Sequence, residues 1–340
     1  MRTYMIALLL GMAYAAQAQR INRHEVVSRH NVEVRQIDSL SSLSVGNGRF
    51  AFTVDATGMQ TFPALYAGGV PLGTQSEWGW HSFPNTNQYK FEETLKSYHL
   101  QGQDRPYSVQ VKSPERSKEA VEYFRVNPHR LQLGSVGLEI LLQNRQVATA
   151  ADIKNIRQQL DLYTGIITSR FTVEGAPVEV ITSCHQSGDA VGFRVKSPLV
   201  AAGRLKVLVR VAAPTGGWKD VNDNFKGYTK LITALNGSTI ACTADTNKWF
   251  INIGGETKVA RAGDNVYAVT PARPAAFAFV VSFMPQPSFK RLSAAAVEES
   301  SAAGWKAFWE SGAAVDFGGS TDPRAKEIER RVVLSQYLTR

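Results

Sequence analysis

The chain has 340 residues, 44% of them hydrophobic, and 38 Lys and Arg against 29 Asp and Glu give it a formal charge of +9. That length builds a large core and more than one domain. The basic residues are scattered, and the densest group, Arg324, Lys326, Arg330 and Arg331, is interrupted by Glu327 and Glu329; this reads as a solvated helix face and argues against a nucleic-acid footprint, while leaving open a preference for anionic substrates.

The N-terminus has the layout of a secretory signal. Arg2 supplies the positive start, Met5 to Ala16 is an apolar run broken only by Gly11, and Ala16-Gln17-Ala18 is a small-x-small cleavage site, so the mature chain is expected to begin at Gln19 in the periplasm or beyond. The run is far shorter than the roughly 20 apolar residues that span a bilayer, and no later segment is long and apolar enough to span.

From Ser39 to Phe283 the punctuation is all-β. Leu43-Ser44-Val45, the breaker Gly46-Asn47-Gly48 and the alternating run Phe50 to Val54 predict a hairpin, since Asn-Gly tolerates positive φ. Between Gly73 and Asn85, Gln75, Glu77, Trp78, Trp80, His81 and Phe83 are concentrated among breakers. Aromatic faces flanked by amide, carboxylate and hydroxyl groups suit sugar rings, which makes Gln75, Glu77, Trp78, Trp80 and His81 the candidate substrate-binding residues. The competing reading is a loop that tucks its aromatics against the sandwich. Ile166 to Val173, the breaker Glu174-Gly175-Ala176, and Pro177 to Cys184 predict a second hairpin. Val191 to Val195, Leu205 to Val211, Thr239 to Thr243, Lys248 to Ile253, Asn265 to Thr270 and Ala276 to Phe283 add further strands, about a dozen in all, which fits a large two-sheet sandwich. Cys184 and Cys242 each sit in a strand-like run, where a bridge and two buried free thiols both remain open.

Chemical motifs are scarce. The sequence contains no GxSxG, HExxH, P-loop or post-strand GxGxxG, and nothing in it calls for a cofactor. Asp220-Val221-Asn222-Asp223-Asn224 resembles the start of a calcium loop, but Phe225 stands where glycine is required and no glutamate closes the loop, so it reads as a polar turn and no metal is expected. No pair of carboxylates stands out for glycosidase acid–base work.

After Pro285 and Pro287 the spacing turns helical. Ser293 is placed to cap a helix running to Ser311, with Trp305, Phe308 and Trp309 sharing one packing face and Gly312 stopping it. Asp322 and Pro323 predict the cap and first position of a second helix. Its Ile328, Val332, Val333, Leu334, Tyr337 and Leu338 cover more than one face, which predicts neighbours on several sides and a natural protein that continues past Arg340.

Three segments carry a resemblance. Ser39 to Phe52, with its Leu43-Ser44-Val45-Gly46-Asn47-Gly48 core, resembles the opening of the six-hairpin glycosidases, a group that includes maltose phosphorylase-like enzymes and exported bacterial hydrolases. Gly175 to Val180, with His185 and Asp189 to Phe193, is similar to their second sandwich hairpin. Asp322 to Ala325 with Glu329 to Leu338 is similar to the first helix of their barrel. The resemblance implies a galactose-mutarotase-like β-supersandwich over 19–287, a helical linker over 288–318, and at 319–340 the first helix of a truncated (α/α)6 barrel, after the signal at 1–18. It also implies that the general acid, a barrel glutamate, lies beyond Arg340, so no catalytic residue is assigned in this chain. The chain is then expected to be the front of an exported glycoside hydrolase with a carbohydrate partner, export favouring hydrolysis over phosphorolysis. The alternative is a non-catalytic carbohydrate-binding surface protein. A polysaccharide lyase would be expected to carry its barrel first, the opposite of the order here.

Overall fold

The computed structural model describes residues 21–109, 111, 113–215, 230–273, 277–287 and 290–340. The export segment 1–18 and the calcium-like turn at 220–224 lie outside the described residues. In chain order the strands are β1 Val32–Val34, β2 Leu43–Gly46, β3 Phe50–Val54, β4 Thr74–Ser76, β5 Trp80–His81, β6 Leu95–Leu100, β7 Gln103–Ser108, β8 His129–Arg130, β9 Ser135–Ile140 and β10 Lys154–Asp161. They continue with β11 Ile166–Val173, β12 Ala176–Cys184, β13 Ala190–Lys196, β14 Leu205–Arg210, β15 Leu231–Asn236, β16 Thr239–Ala244, β17 Asn247–Gly255, β18 Thr257–Gly263, β19 Val266–Pro271 and β20 Phe277–Met284. The α-helices are α1 Arg23–Ser28, α2 Pro63–Tyr66, α3 Glu115–Val126, α4 Pro198–Ala201, α5 Ala294–Glu310 and α6 Ala325–Thr339.

The protein is mainly β, and every pairing among the described strands is antiparallel. A nine-stranded sheet runs β1-β10-β11-β12-β13-β20-β17-β16-β15, and a four-stranded sheet runs β18-β19-β14-β9. Phe193, Phe279, Ile251 and Val180 of the first share one continuous apolar core with Val207, Val209, Tyr267 and Val269 of the second, which makes the pair a sandwich. Period-two patterning drives this: in β11, Ile167, Ser169, Phe171 and Val173 face in, while Ile166, Thr168, Arg170 and Thr172 alternate with them. The β11–β12 turn is held by Glu174 and Gly175, both at positive φ (49° and 80°), the geometry that matches strand twist.

The β2–β3 connection works differently from a simple Asn-Gly turn. Gly48 takes the positive φ of 85°, while Asn47 acts through its side chain. Its Oδ1 accepts from the Arg49 and Phe50 N–H groups at 3.0 and 2.8 Å, and its Nδ2 donates to the carbonyls of His185 and Gly188 at 3.0 and 3.2 Å. The turn is thereby tied to the β12–β13 connection.

Helix α5 lies across the outer face of the nine-stranded sheet, burying Ala294 and Val297 against Ala190 and Val280. Gly192 permits the approach, since a Cβ there would stand 2.9 Å from that of Val297. Ser293 caps α5 by accepting from the Ala296 N–H at 3.1 Å, and Gly312, at φ 67°, follows its end. Trp305 and Trp309 are buried packing residues: Trp309 donates its indole N–H to the Leu162 carbonyl at 2.7 Å, and Trp305 stacks on Tyr337 of α6 with centroids 4.3 Å apart.

Some expectations need correction. Helix α6 starts at Ala325, later than Pro323, because the Asp322 carboxylate closes a turn onto the Arg324 N–H at 2.8 Å. It buries one stripe, Ala325, Glu329, Val333 and Tyr337, and leaves Ile328 and Leu338 47% and 74% exposed. The strands β9, β10, β15 and β18, the β6–β7 hairpin and helix α3 were not predicted; α3 buries only Ala120 and Val121, and β6 and β7 are exposed almost throughout, so these last carry no apolar period. Cys184 and Cys242 are free and buried, and burial pushes both thiols up. Among the described residues no helix is long and apolar enough to cross a membrane.

Candidate functional site

The aromatic loop leaves the small β2-β3-β4 sheet, where Ala51 faces Gln75 and Phe50 faces Ser76. It then enters β5, which pairs Trp80 with Arg130 and His81 with His129 of β8. Two anchors shape it. Asp189, from the β12–β13 connection, accepts on one carboxylate oxygen from Ser76 Oγ at 2.5 Å and from Trp78 Nε1 at 2.7 Å. On the far side His81 is fully buried, its Nε2 3.0 Å from Asp245 Oδ2 and its Nδ1 3.0 Å from His129 Nε2; His129 Nδ1 in turn donates to the Val126 carbonyl at 3.0 Å. This polar chain satisfies the buried imidazole and fixes the loop's exit.

The five candidates therefore part company. Trp78 is half-buried against the main core with its N–H used by Asp189, and His81 points into the protein. Trp80 is 41% exposed, but the Arg130 guanidinium covers one ring face at 4.1 Å, and the indole N–H donates to the Glu77 carbonyl at 2.9 Å. Gln75 and Glu77 line a groove of about 310 Å³ between β4, the β2–β3 turn and the end of α6. Its floor includes Gly46 and Phe50, and its charged side chains are Arg49, Glu77, Arg130 and Arg340. Tyr337 binds α6 to this wall by donating to the Ser44 carbonyl at 2.9 Å, and Arg340 Nη1 donates to the Asn47 carbonyl at 2.9 Å.

Arg49 and Arg130 were missed as site residues. Arg49 lies inside the Gly-Asn-Gly-Arg-Phe segment, where a signal was present. Arg130 is 50 residues from Trp80 in sequence and has no local signal; only the β5–β8 pairing brings it in. Arg49 stands 3.5 Å from Glu77, with their side chains 75% and 55% exposed, an ion pair worth at most about 1 kcal/mol. A larger hollow, about 890 Å³, lies over the nine-stranded sheet beside α4 and contains none of the sequence candidates. Among the described residues no three His, Cys, Asp or Glu side chains are placed to hold a metal ion.

Fold and groove together define a mainly antiparallel β protein whose cleft, of mixed polar and apolar lining, lies where a hairpin turn, an aromatic loop and helix α6 meet. No family model matches the sequence, and no curated protein matches it. A solved structure described as "Putative kojibiose phosphorylase from human microbiome" aligns with 89% of this chain at 9% identity and a TM-score of 0.42. The chain spans 37% of that protein's length.

Proposed function

We propose that this chain is the sandwich and linker part, residues 19–287 and 288–318, of an exported carbohydrate-active enzyme, with 319–340 opening its helical barrel, and that its groove takes an oligosaccharide. The observation that carries the reading is the meeting of motifs: Val45, Gly46 and Gly48 of the β2–β3 turn, the Gln75–Glu77 edge of the aromatic loop and helix α6 all line the same groove. Two of the three segments that carry the six-hairpin resemblance thus form its walls, and Tyr337 holds them together through Ser44.

In this reading the chain binds, and hydrolysis is performed elsewhere. Glu77 is the single carboxylate side chain among the described groove residues, whereas glycoside hydrolysis commonly uses a facing pair. The same observation favours the second reading, a non-catalytic carbohydrate-binding surface protein. Sequencing the gene beyond codon 340 separates them: several hundred residues of alternating helices support the enzyme, and an immediate stop supports the binding protein. Isothermal titration of the purified chain with neutral and charged oligosaccharides tests what they share, and failure of every sugar to bind would sink both. Export is tested by N-terminal sequencing of protein recovered outside the cytoplasm, with Gln19 the expected first residue and Met1 the result against it.

A further inference from the structure

We infer that the groove selects acidic sugars, those carrying a carboxylate or sulfate group, through Arg49 and Arg130; this rests on the oligosaccharide reading above. Trp80 does not itself line the groove; it carries Arg130, which does, with the guanidinium 4.1 Å from the ring centroid. Arg130 is held in that position by donating through Nη1 to the Ser76 carbonyl at 2.9 Å. The loop therefore presents an oriented guanidinium to the groove, and a planar fork held in place loses little freedom when it meets an oxyanion.

Arg49 supplies the second cation. Among the described residues its ion-pair partner is Glu77, 3.5 Å away, and both side chains are mostly in solvent. That distance is longer than a charge-assisted hydrogen bond, so an incoming anion meets a guanidinium with donors still hydrated and available. Of the charged side chains lining the groove, Arg340 is committed to the Asn47 carbonyl, which leaves Arg49 and Arg130 beside the one side-chain carboxylate of Glu77. A neutral glycan gains nothing from that imbalance. An anionic one gains two or more charge-assisted hydrogen bonds, and it is also drawn in by a chain whose formal charge is +9, or +8 once residues 1–18 with Arg2 are removed.

The test titrates the full chain with three oligosaccharides of equal length: a galacturonate oligomer (carboxylate), a chondroitin-sulfate oligomer (sulfate) and a maltose-series oligomer (neutral). The expected result is tighter binding of one or both charged oligomers, the stronger arm identifying the anion, with affinity falling as salt rises. Arg49→Ala is expected to weaken charged binding about tenfold or more and leave the neutral arm unchanged. Arg130→Lys, which keeps the charge but loses the fork, is expected to do the same. Arg261→Ala, an exposed arginine on β18, is the control for non-specific attraction. Neutral binding as tight as charged, or an Arg261→Ala loss equal to that of Arg49→Ala, would overturn acidic-sugar selection while leaving sugar binding intact. Absence of binding in all three arms would remove the oligosaccharide reading and this inference with it.

Discussion

The two tryptophans of the aromatic loop show how one sequence motif divides into two roles. Trp78 gives its N–H to Asp189 and its ring to the core, whereas Trp80 stays at the surface under Arg130. Trp78→Ala is therefore expected to cost about 3 kcal/mol of stability, read as a clear fall in melting temperature. Trp80→Ala is expected to cost about 1 kcal/mol or less, since it removes a surface cation–π contact. A larger fall in melting temperature for Trp80→Ala than for Trp78→Ala would contradict this assignment. The difference was not legible in the sequence. Gly73 to Asn85 marks an aromatic loop by composition alone, but which ring turns inward depends on Asp189, more than 100 residues away.

At the scale of elements, helix α6 and the end of α1 are joined by one buried carboxylate. Glu329 of α6, 2% exposed, receives both Nε and Nη2 of Arg29 at 2.8 Å, the Phe317 N–H at 2.5 Å and His30 Nε2 at 2.6 Å. Burial pushes this carboxyl up, but the Arg29 pair, the Phe317 N–H and His30 outweigh it and hold the group at about 2. The unfolded value is about 4.3, so the native state binds fewer protons between the two. The contribution is present above pH of about 4.3 and is lost as pH falls toward 2, on the order of 3 kcal/mol in all. Glu329→Gln is expected to destabilise at neutral pH by about 3 kcal/mol and to flatten this acid limb; denaturant midpoints measured from pH 2 to 7 check both. Asp55 has the opposite sign. Burial raises its carboxyl to about 6 against donors from Thr57, Phe62 and Thr61. Its contribution is therefore full below about 3.9, the unfolded value, and is lost as pH rises through 6. Asp55→Asn is expected to remove this decline, visible as a flatter midpoint profile between pH 4 and 6.

For the whole molecule, far-ultraviolet circular dichroism is expected to be dominated by strand, with α3, α5 and α6 supplying a minor helical signal. A helix-dominated spectrum would contradict the architecture. The purified chain is expected to bind oligosaccharide without cleaving it; turnover abolished by Glu77→Gln would show that the groove itself is catalytic.

The runs at β2, β3, β11 to β14, β16, β17, β19 and β20, the Glu174-Gly175 turn, the Ser293 cap and the indole stripe of α5 were all legible in the sequence, because each depends on neighbours within a few residues. Elements without an apolar face, α3 and the β6–β7 hairpin, left no such signature. The start of α6 shifted because the Asp322 carboxylate reached the Arg324 N–H. The groove belongs wholly to the tertiary structure. Arg49, Glu77, Arg130 and Tyr337 come from four separate stretches of chain, and no local pattern encodes that meeting. Antiparallel pairing sets Trp80 opposite Arg130, the Trp305–Tyr337 stack seats α6 on α5, and the Tyr337–Ser44 and Arg340–Asn47 hydrogen bonds tie it to β2 and its turn. Local spacing chose the elements; long-range pairing and packing chose which charges face one another.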